Sequence, residues 1–326
     1  MFCKKQTLFD TNIYDVIVSK GMRLPLHFKP GMYTKVIPRV MLRYTQKVPF
    51  SVSFDVTNRC NIRCPYCYFY AEQHPSELSD DDMLSLMREA SRSHGFFHAT
   101  FIGGEPTLRL PVLKEGVKMF PQSWVNTNGL NGFPPEVKAS AWLVSLEGSE
   151  AIHDKIKGKG AFKKVIEAIP ETSSTIIANT TLYTFNCENI EETVKSIAKT
   201  GIDGIIFSFY TQLKNSGDYL QLSDSKRTEL IYRILKIRKE YPDFIFFTKK
   251  MGYYHNPHSG LNKWNHPSRC PVALYGIAYG ADGKVKHPCA MGGGTLCNRC
   301  GCGMNSIFLA SMKGDIRAMR FIYKML

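Results

Sequence analysis

From residue 50 onward the chain alternates short β-rich runs with helical stretches, a pattern that commits it to a layered α/β fold. The runs are 51–57, 98–104, 123–129, 142–148, 175–183 and 204–210, and each precedes a stretch that reads as a helix. The clearest helices are 80–92 and 223–240. In the first, Ser79 is a capping residue and Asp80, Asp81 and Asp82 suit the positive end of the helix dipole; the second carries a 3.6-residue apolar pattern behind Ser223. Right-handed βα repeats of this kind curl into a parallel barrel or an open part of one, which with six strands is a partial (β/α)6, TIM-like barrel.

At 326 residues the chain exceeds the usual single core, so one large domain with an appended module is expected. The predicted division is a basic extension over 1–49, the barrel over 50–242, and a Cys-rich β-hairpin and helix module with a basic tail helix over 243–326. Residues 253–270, rich in His, Asn, Pro and Gly, read as a loop, and 305–326 as one helix with Lys313, Arg317, Arg320 and Lys324 on one side. Half of the net charge of +14 sits in residues 1–50, where nine Lys or Arg face Asp10 and Asp15. Lys35, Arg39, Arg43 and Lys47 recur every four residues, as in an amphipathic helix. Such a helix packs on the barrel or lies on anionic lipid.

Hydrophobic residues at 44% exclude a disordered chain, no apolar run is long enough to span a bilayer, and MFCKKQTLFD lacks a signal-peptide core. A cytoplasmic protein is expected, with peripheral contact at the inner membrane face as an option. Of ten cysteines, three fall at 60, 64 and 67 and five between 270 and 302. Tight groups in a large chain without export signals point to metal or catalytic thiolates rather than disulfides.

Cys60, Cys64 and Cys67 form CxxxCxxC immediately after the first predicted strand, where parallel barrels carry their reactive groups. Three thiolates in one loop can hold three irons of a cubane and leave the fourth iron open to a chelating molecule. Structural zinc wants a fourth ligand, and this loop has none. The spacing, with the aromatic Tyr66 before the last cysteine, resembles the cluster loop of the radical S-adenosylmethionine (SAM) superfamily.

That resemblance extends over about 50–240. Gly103, Gly104, Glu105 and Pro106 match the family's GGEP motif, which binds the amino group of the methionine moiety. Thr127, Asn128 and Gly129 resemble its TNG. Ser145, Glu147 and Gly148 resemble SxDG or SxEG, followed by His153, Asp154 and Gly158 of an HDxxRG-like stretch in which Lys157 replaces arginine. The resemblance implies that Tyr66, Gly103, Gly104, Glu105, Pro106, Thr127, Asn128, Ser145 and Glu147 contact SAM, Ser145 and Glu147 at the ribose hydroxyls. Asn179 and Thr181 are secondary candidates. Substitution of Glu105 is expected to weaken SAM binding more than folding. The implied chemistry is reductive cleavage of SAM to a 5′-deoxyadenosyl radical that abstracts a hydrogen atom, with electrons from a flavodoxin- or ferredoxin-type donor. The sequence holds no Ser-His-Asp signal, Walker loop or HExxH motif.

Between Cys270 and Cys289, Asp282-Gly283 marks a hairpin turn, and Cys297, Cys300 and Cys302 follow. This arrangement resembles the SPASM and twitch extensions of the same superfamily. It implies an auxiliary [4Fe-4S] cluster on Cys270, Cys289, Cys297 and Cys300, with Cys302 as substitute; a zinc ribbon is the alternative. The substrate expected is a peptide or protein, or else a membrane lipid met through the basic arm. A zinc-ribbon nucleic-acid-binding protein is the reading from another class, and nucleic acid is not expected as a partner because the basic excess is not interleaved with base-stacking aromatics.

Overall fold

A computed structural model describes residues 42–43, 45–46, 48–71, 76–92, 96–214 and 217–325. The basic helix expected around Lys35 and Arg39, and with it most of the 1–49 extension, lies outside the described residues.

Six parallel strands form in the expected runs: β1 (Ser51–Asp55), β2 (His98–Ile102), β3 (Gln122–Thr127), β4 (Ala141–Ser145), β5 (Thr175–Leu182) and β6 (Gly204–Phe209). The expected runs overshoot every strand at its C-terminal end, because those residues leave the ladder to build loops. Val52, Phe54, Phe101, Trp142, Ile177 and Ile206 are buried, as strands covered on both faces require.

Around the sheet lie α1 (Asp80–Arg92), α2 (Leu110–Gly116), α3 (Glu150–Lys157), α4 (Ala161–Ala168), α5 (Ile190–Ile197) and α6 (Asp224–Ile237). Ser79 caps α1 through Asp82 N (3.1 Å), and Ser223 caps α6 through Lys226 N (3.1 Å). The β3–β4 connection departs from the expected alternation: residues 128–140 contain no helix. Pro134 and Pro135 bias the residues before them away from the helical region, so a helix has no room to start there.

After α6 come α7 (Lys249–His255), α8 (Leu261–Trp264) and α9 (Pro271–Tyr275), then the hairpin β7 (Gly276–Tyr279) and β8 (Val285–Lys286), and α10 (Gly303–Met312) and α11 (Ile316–Lys324). Two sequence expectations are corrected here. The 253–270 stretch carries the end of α7 and all of α8 rather than only loop, since Tyr254 and Leu261 are buried and packing overrides weak helix propensity. The single tail helix is two helices, interrupted at Gly314, whose φ of +77° is in the left-handed region.

Strand β7 pairs in parallel with β1, Ser51 opposite Gly276, and β8 returns antiparallel. The sheet order is therefore β6-β5-β4-β3-β2-β1-β7-β8, unclosed, and it runs continuously across residue 242. Helix α11 buries Ala318 and Phe321 beneath the N-terminal ends of the strands, where Trp124 Nε1 donates to Met325 O at 3.2 Å. Its other face leaves Ile316 and Met319 exposed. No helix among the described residues is long and apolar enough to cross a membrane.

Candidate cofactor site and second thiol group

The loop after β1 is anchored at its root. Glu77 Oε1 accepts from Thr57 Oγ1 (2.7 Å) and Asn58 N (2.6 Å), while Arg109 donates to Val56 O (2.9 Å) and Leu78 O (2.6 Å). Gly103 and Gly104 then let the end of β2 approach the loop backbone. A Cβ at residue 104 would lie 2.1 Å from Arg59 O, and the close approach is used: Gly104 N donates to Thr57 O and Glu105 N to Arg59 O, both at 2.8 Å. On this support sit Cys60, Cys64 and Cys67, all free and half-buried, with Cys67 N donating to Cys64 O at 3.2 Å. Burial pushes the Cys64 and Cys67 thiols up.

Among the described residues, no three His, Cys, Asp or Glu side chains converge as they would on a single ion. Three thiols on one loop without a fourth donor suit a cubane with an open iron better than structural zinc.

Glu105 is 1% exposed and fully engaged by the chain itself. Its Oε1 accepts from Thr107 N (3.1 Å), Thr107 Oγ1 (2.7 Å) and Thr127 Oγ1 (2.8 Å); its Oε2 accepts from Asn128 N (2.8 Å). Burial raises its pKa while these donors pull the other way. The carboxylate thus pins the turn that starts at Pro106 to the end of β3. Asn128 in turn donates from Nδ2 to Asn61 Oδ1 at 2.7 Å and lies 3.9 Å from Cys60 Sγ. The GGEP and TNG segments and the thiol loop therefore form one hydrogen-bonded unit.

Glu147, also 1% exposed, closes the far side. Its Oε1 accepts from Tyr66 Oη and lies 3.4 Å from Lys157 Nζ, and that ammonium sits 5.3 Å from the centre of the Tyr66 ring. Its Oε2 is buried without a hydrogen-bond donor, so a hydroxyl-bearing ligand would find a ready acceptor there. Burial pushes the Glu147 carboxyl up, against the pull of Lys157. Burial works against the charge on Lys157, but the charges of Glu147 and Cys64 outweigh it and favour the ammonium. Ser145 ends β4 half-buried, paired in register with Asn179, whose Oδ1 accepts from Ser208 Oγ at 2.9 Å.

Lys157 and Asn186 are the residues that sequence reasoning left unassigned here. Asn186 Nδ2 donates to Glu147 O (3.0 Å) and Thr181 O (2.8 Å), fixing the backbone behind the carboxylate. The available signal for Lys157 was its place in the HDxxRG-like stretch.

The second thiol group is attached to both ends of the open barrel. Hairpin β7–β8 extends β1, and residues 294–301 lie along the C-terminal end of β6. Lys214 N donates to Gly294 O (2.8 Å), Leu296 N to Gln212 O (3.0 Å) and Phe209 N to Gly301 O (2.8 Å). A Cβ on Gly301 would come within 1.7 Å of Phe209 O.

Cys270, Cys289, Cys297, Cys300 and Cys302 are all free and half-buried. Burial pushes Cys289 up to about 11 and Cys302 to about 12, and the charge of Cys300 adds to both. Cys300 exerts the same effect on Cys270 and Cys297, which makes it the shared neighbour of the other four. Cys302 N also donates to Cys300 Sγ at 3.4 Å.

A family model for the Radical SAM superfamily matches residues 54–209. The sporulation killing factor maturation protein SkfB of Bacillus subtilis (strain 168) is 30% identical over 169 residues, 47% of this chain and 41% of that protein. The Fe-coproporphyrin III synthase of Methanosarcina barkeri (strain Fusaro / DSM 804) is 29% identical over 178 residues, 50% of this chain and 43% of that protein. This chain thus spans less than half the length of either relative. The crystal structure of Streptococcus suis SuiB bound to the precursor peptide SuiA has a similar fold, with a TM-score of 0.57 at 13% identity over 86% of this chain and 72% of that one. The family match begins within β1, ends at the last residue of β6 and encloses the thiol loop, so it is the six-strand part of this chain that matches the radical SAM superfamily.

Proposed function

We propose that this protein is a radical SAM enzyme that modifies a peptide or protein and carries an auxiliary [4Fe-4S] cluster. The observation that carries the reading is the double attachment of the second thiol group, to β1 through β7 and to β6 through Gly301, which sets it at the same end of the sheet as Cys60, Cys64 and Cys67. When bound, SAM and a cluster supply one-electron cleavage of a carbon–sulfur bond and hydrogen-atom removal.

The chain's own part is to hold and exclude. Cys60, Cys64 and Cys67 would hold the cluster, and Cys270, Cys289, Cys297 and Cys300 the auxiliary one, with Cys302 as the substitute for Cys300. The orphaned Glu147 Oε2 and Ser145 would take the ribose hydroxyls. Lys157, in the arginine position of its motif, places a cation in the mouth. Buried Tyr183, with its ring 4.9 Å from that of Tyr66, keeps water from the cleavage site. The peptide preference draws on the fold shared with SuiB, whose bound partner is a precursor peptide. The setting we assign is the reducing cytoplasm, with electrons from a flavodoxin- or ferredoxin-type donor.

The test is anaerobic reconstitution followed by incubation with reductant, SAM and a library of deuterated peptides. Deuterium appearing in 5′-deoxyadenosine, and its loss in Cys64→Ala, supports the reading. No 5′-deoxyadenosine from a protein that has loaded iron and sulfide overturns it.

A second reading concerns location. Exposed Met312, Ile316 and Met319 lie among Lys313, Arg317 and Arg320, a cationic apolar face suited to anionic lipid. This face lies under the N-terminal strand ends, opposite the thiol loop, so a membrane held there would leave the mouth pointing away from it. That arrangement favours a peptide over a lipid substrate. Pelleting with phosphatidylglycerol vesicles at low salt, lost in Ile316→Glu, is the expected result; absence of pelleting in the parent rejects membrane contact.

A further inference from the structure

Arg227, on α6, is 1% exposed, and among the described residues no carboxylate oxygen lies within 4 Å of its guanidinium. The nearest acid on its own helix, Asp224, is taken by Arg299 at 2.6 Å. Arg227 instead donates to two main-chain carbonyls of the second thiol segment, Cys300 O at 2.8 Å and Arg299 O at 3.4 Å. It also contacts His255 Nδ1 at 3.3 Å and lies 4.7 Å from the centre of the Phe209 ring. Burial pushes His255 well down, so its ring is neutral and provides no counter-charge.

An interior guanidinium with no carboxylate paired to it is costly unless an anion completes the site. Four of the five thiols would provide that anion once ionised by a metal centre. Four thiolates on an iron–sulfur cubane carry net negative charge, and a fixed cation beside them favours the reduced, more negative state.

We propose that Arg227 is the built-in counter-charge of the auxiliary cluster, a positioning residue that holds the Cys300 segment and raises the cluster's reduction potential. The proposal rests on the auxiliary-cluster reading above.

The test uses the full chain with Cys60, Cys64 and Cys67 replaced by Ala, so that only the second thiol group can load. Iron and sulfide are counted, and the midpoint potential is measured by an electron paramagnetic resonance titration for the parent, Arg227→Lys and Arg227→Met. A more negative midpoint in Arg227→Met, with Arg227→Lys close to the parent, supports the role. Equal midpoints at equal iron loading overturn it. Should Arg227→Met load no iron, recovery of loading in Arg227→Lys supports the charge, and failure in both variants overturns it in favour of simple packing. A parent that itself loads no iron–sulfide unit overturns the auxiliary-cluster reading instead, an outcome that does not depend on residue 227.

Discussion

Tyr66 donates its phenol hydrogen to Glu147, a residue 81 positions further along the chain. The bond fastens the thiol loop after β1 to the turn after β4, across the mouth of an open sheet. Lys157 lies against both partners, so a hydroxyl, a carboxylate and an ammonium share one water-excluded space.

Removing the cation from that space leaves Glu147 buried beside Tyr66 alone. Lys157→Met is expected to lower stability by about 3 kcal/mol, in line with breaking a buried pair from one side. Lys157→Arg, which keeps the charge, should retain most of it. Urea unfolding of the two variants checks the difference, and equal midpoints for Lys157→Met and the parent would contradict the pairing.

Glu105 has a structural part to play beside the ligand contact its motif implies. Its four internal donors also make it a structural hub. Glu105→Gln turns an acceptor into a donor facing Asn128 N or the threonine hydroxyls and should cost about 1–3 kcal/mol or more. A clear drop in thermal midpoint without SAM present is the expected outcome; an unchanged midpoint with weakened SAM binding would return the residue to the purely ligand-binding role.

His98 supplies an acid-sensitive element remote from the thiols. Burial brings its pKa from 6.5 to about 3, with its ring centroid 4.2 Å from that of Trp124. The unfolded chain therefore takes up a proton that the folded one refuses. Its stabilising contribution is complete above about pH 6.5 and is lost as pH falls toward 3, the loss reaching about 2 kcal/mol by pH 5. Stability curves at pH 8 and pH 5 should differ by about that much less in His98→Phe than in the parent.

The second thiol segment rests on a contact too close for any side chain. Gly301→Ala would drive a Cβ into Phe209 O, so the segment must lift from β6. The expected result is loss of most auxiliary iron in a background lacking the first three thiols, together with a lower thermal midpoint. Gly294→Ala, where nothing lies within 4 Å of the added atom, is the matched control.

Much of this was legible in the sequence because it is local. Strand runs, the caps at Ser79 and Ser223, the cysteine spacing and the glycines at strand ends all act within a few residues. What escaped depends on contacts between distant segments. Helices α7 and α8 are too short to form on propensity and exist because Met251, Tyr254 and Leu261 find a core. Nothing near Gly276 announces that β7 will lie beside β1, and the burial of Arg227 follows from a segment more than seventy positions away. At Lys157 the motif marked the position, yet the partnership with Glu147 needed the folded chain.

The pairing of β7 with β1 also bears on any attempt to divide this protein. A fragment ending near residue 242 would strip one side of β1, the strand that delivers the first cysteines, baring a row of amide and carbonyl groups from Ser51 to Phe54. Such a piece would be prone to self-association through that raw margin. The two sulfur-bearing regions are thus joined by main-chain bonds as well as by sequence, and losing the later one would expose the flank of the strand that carries the earlier.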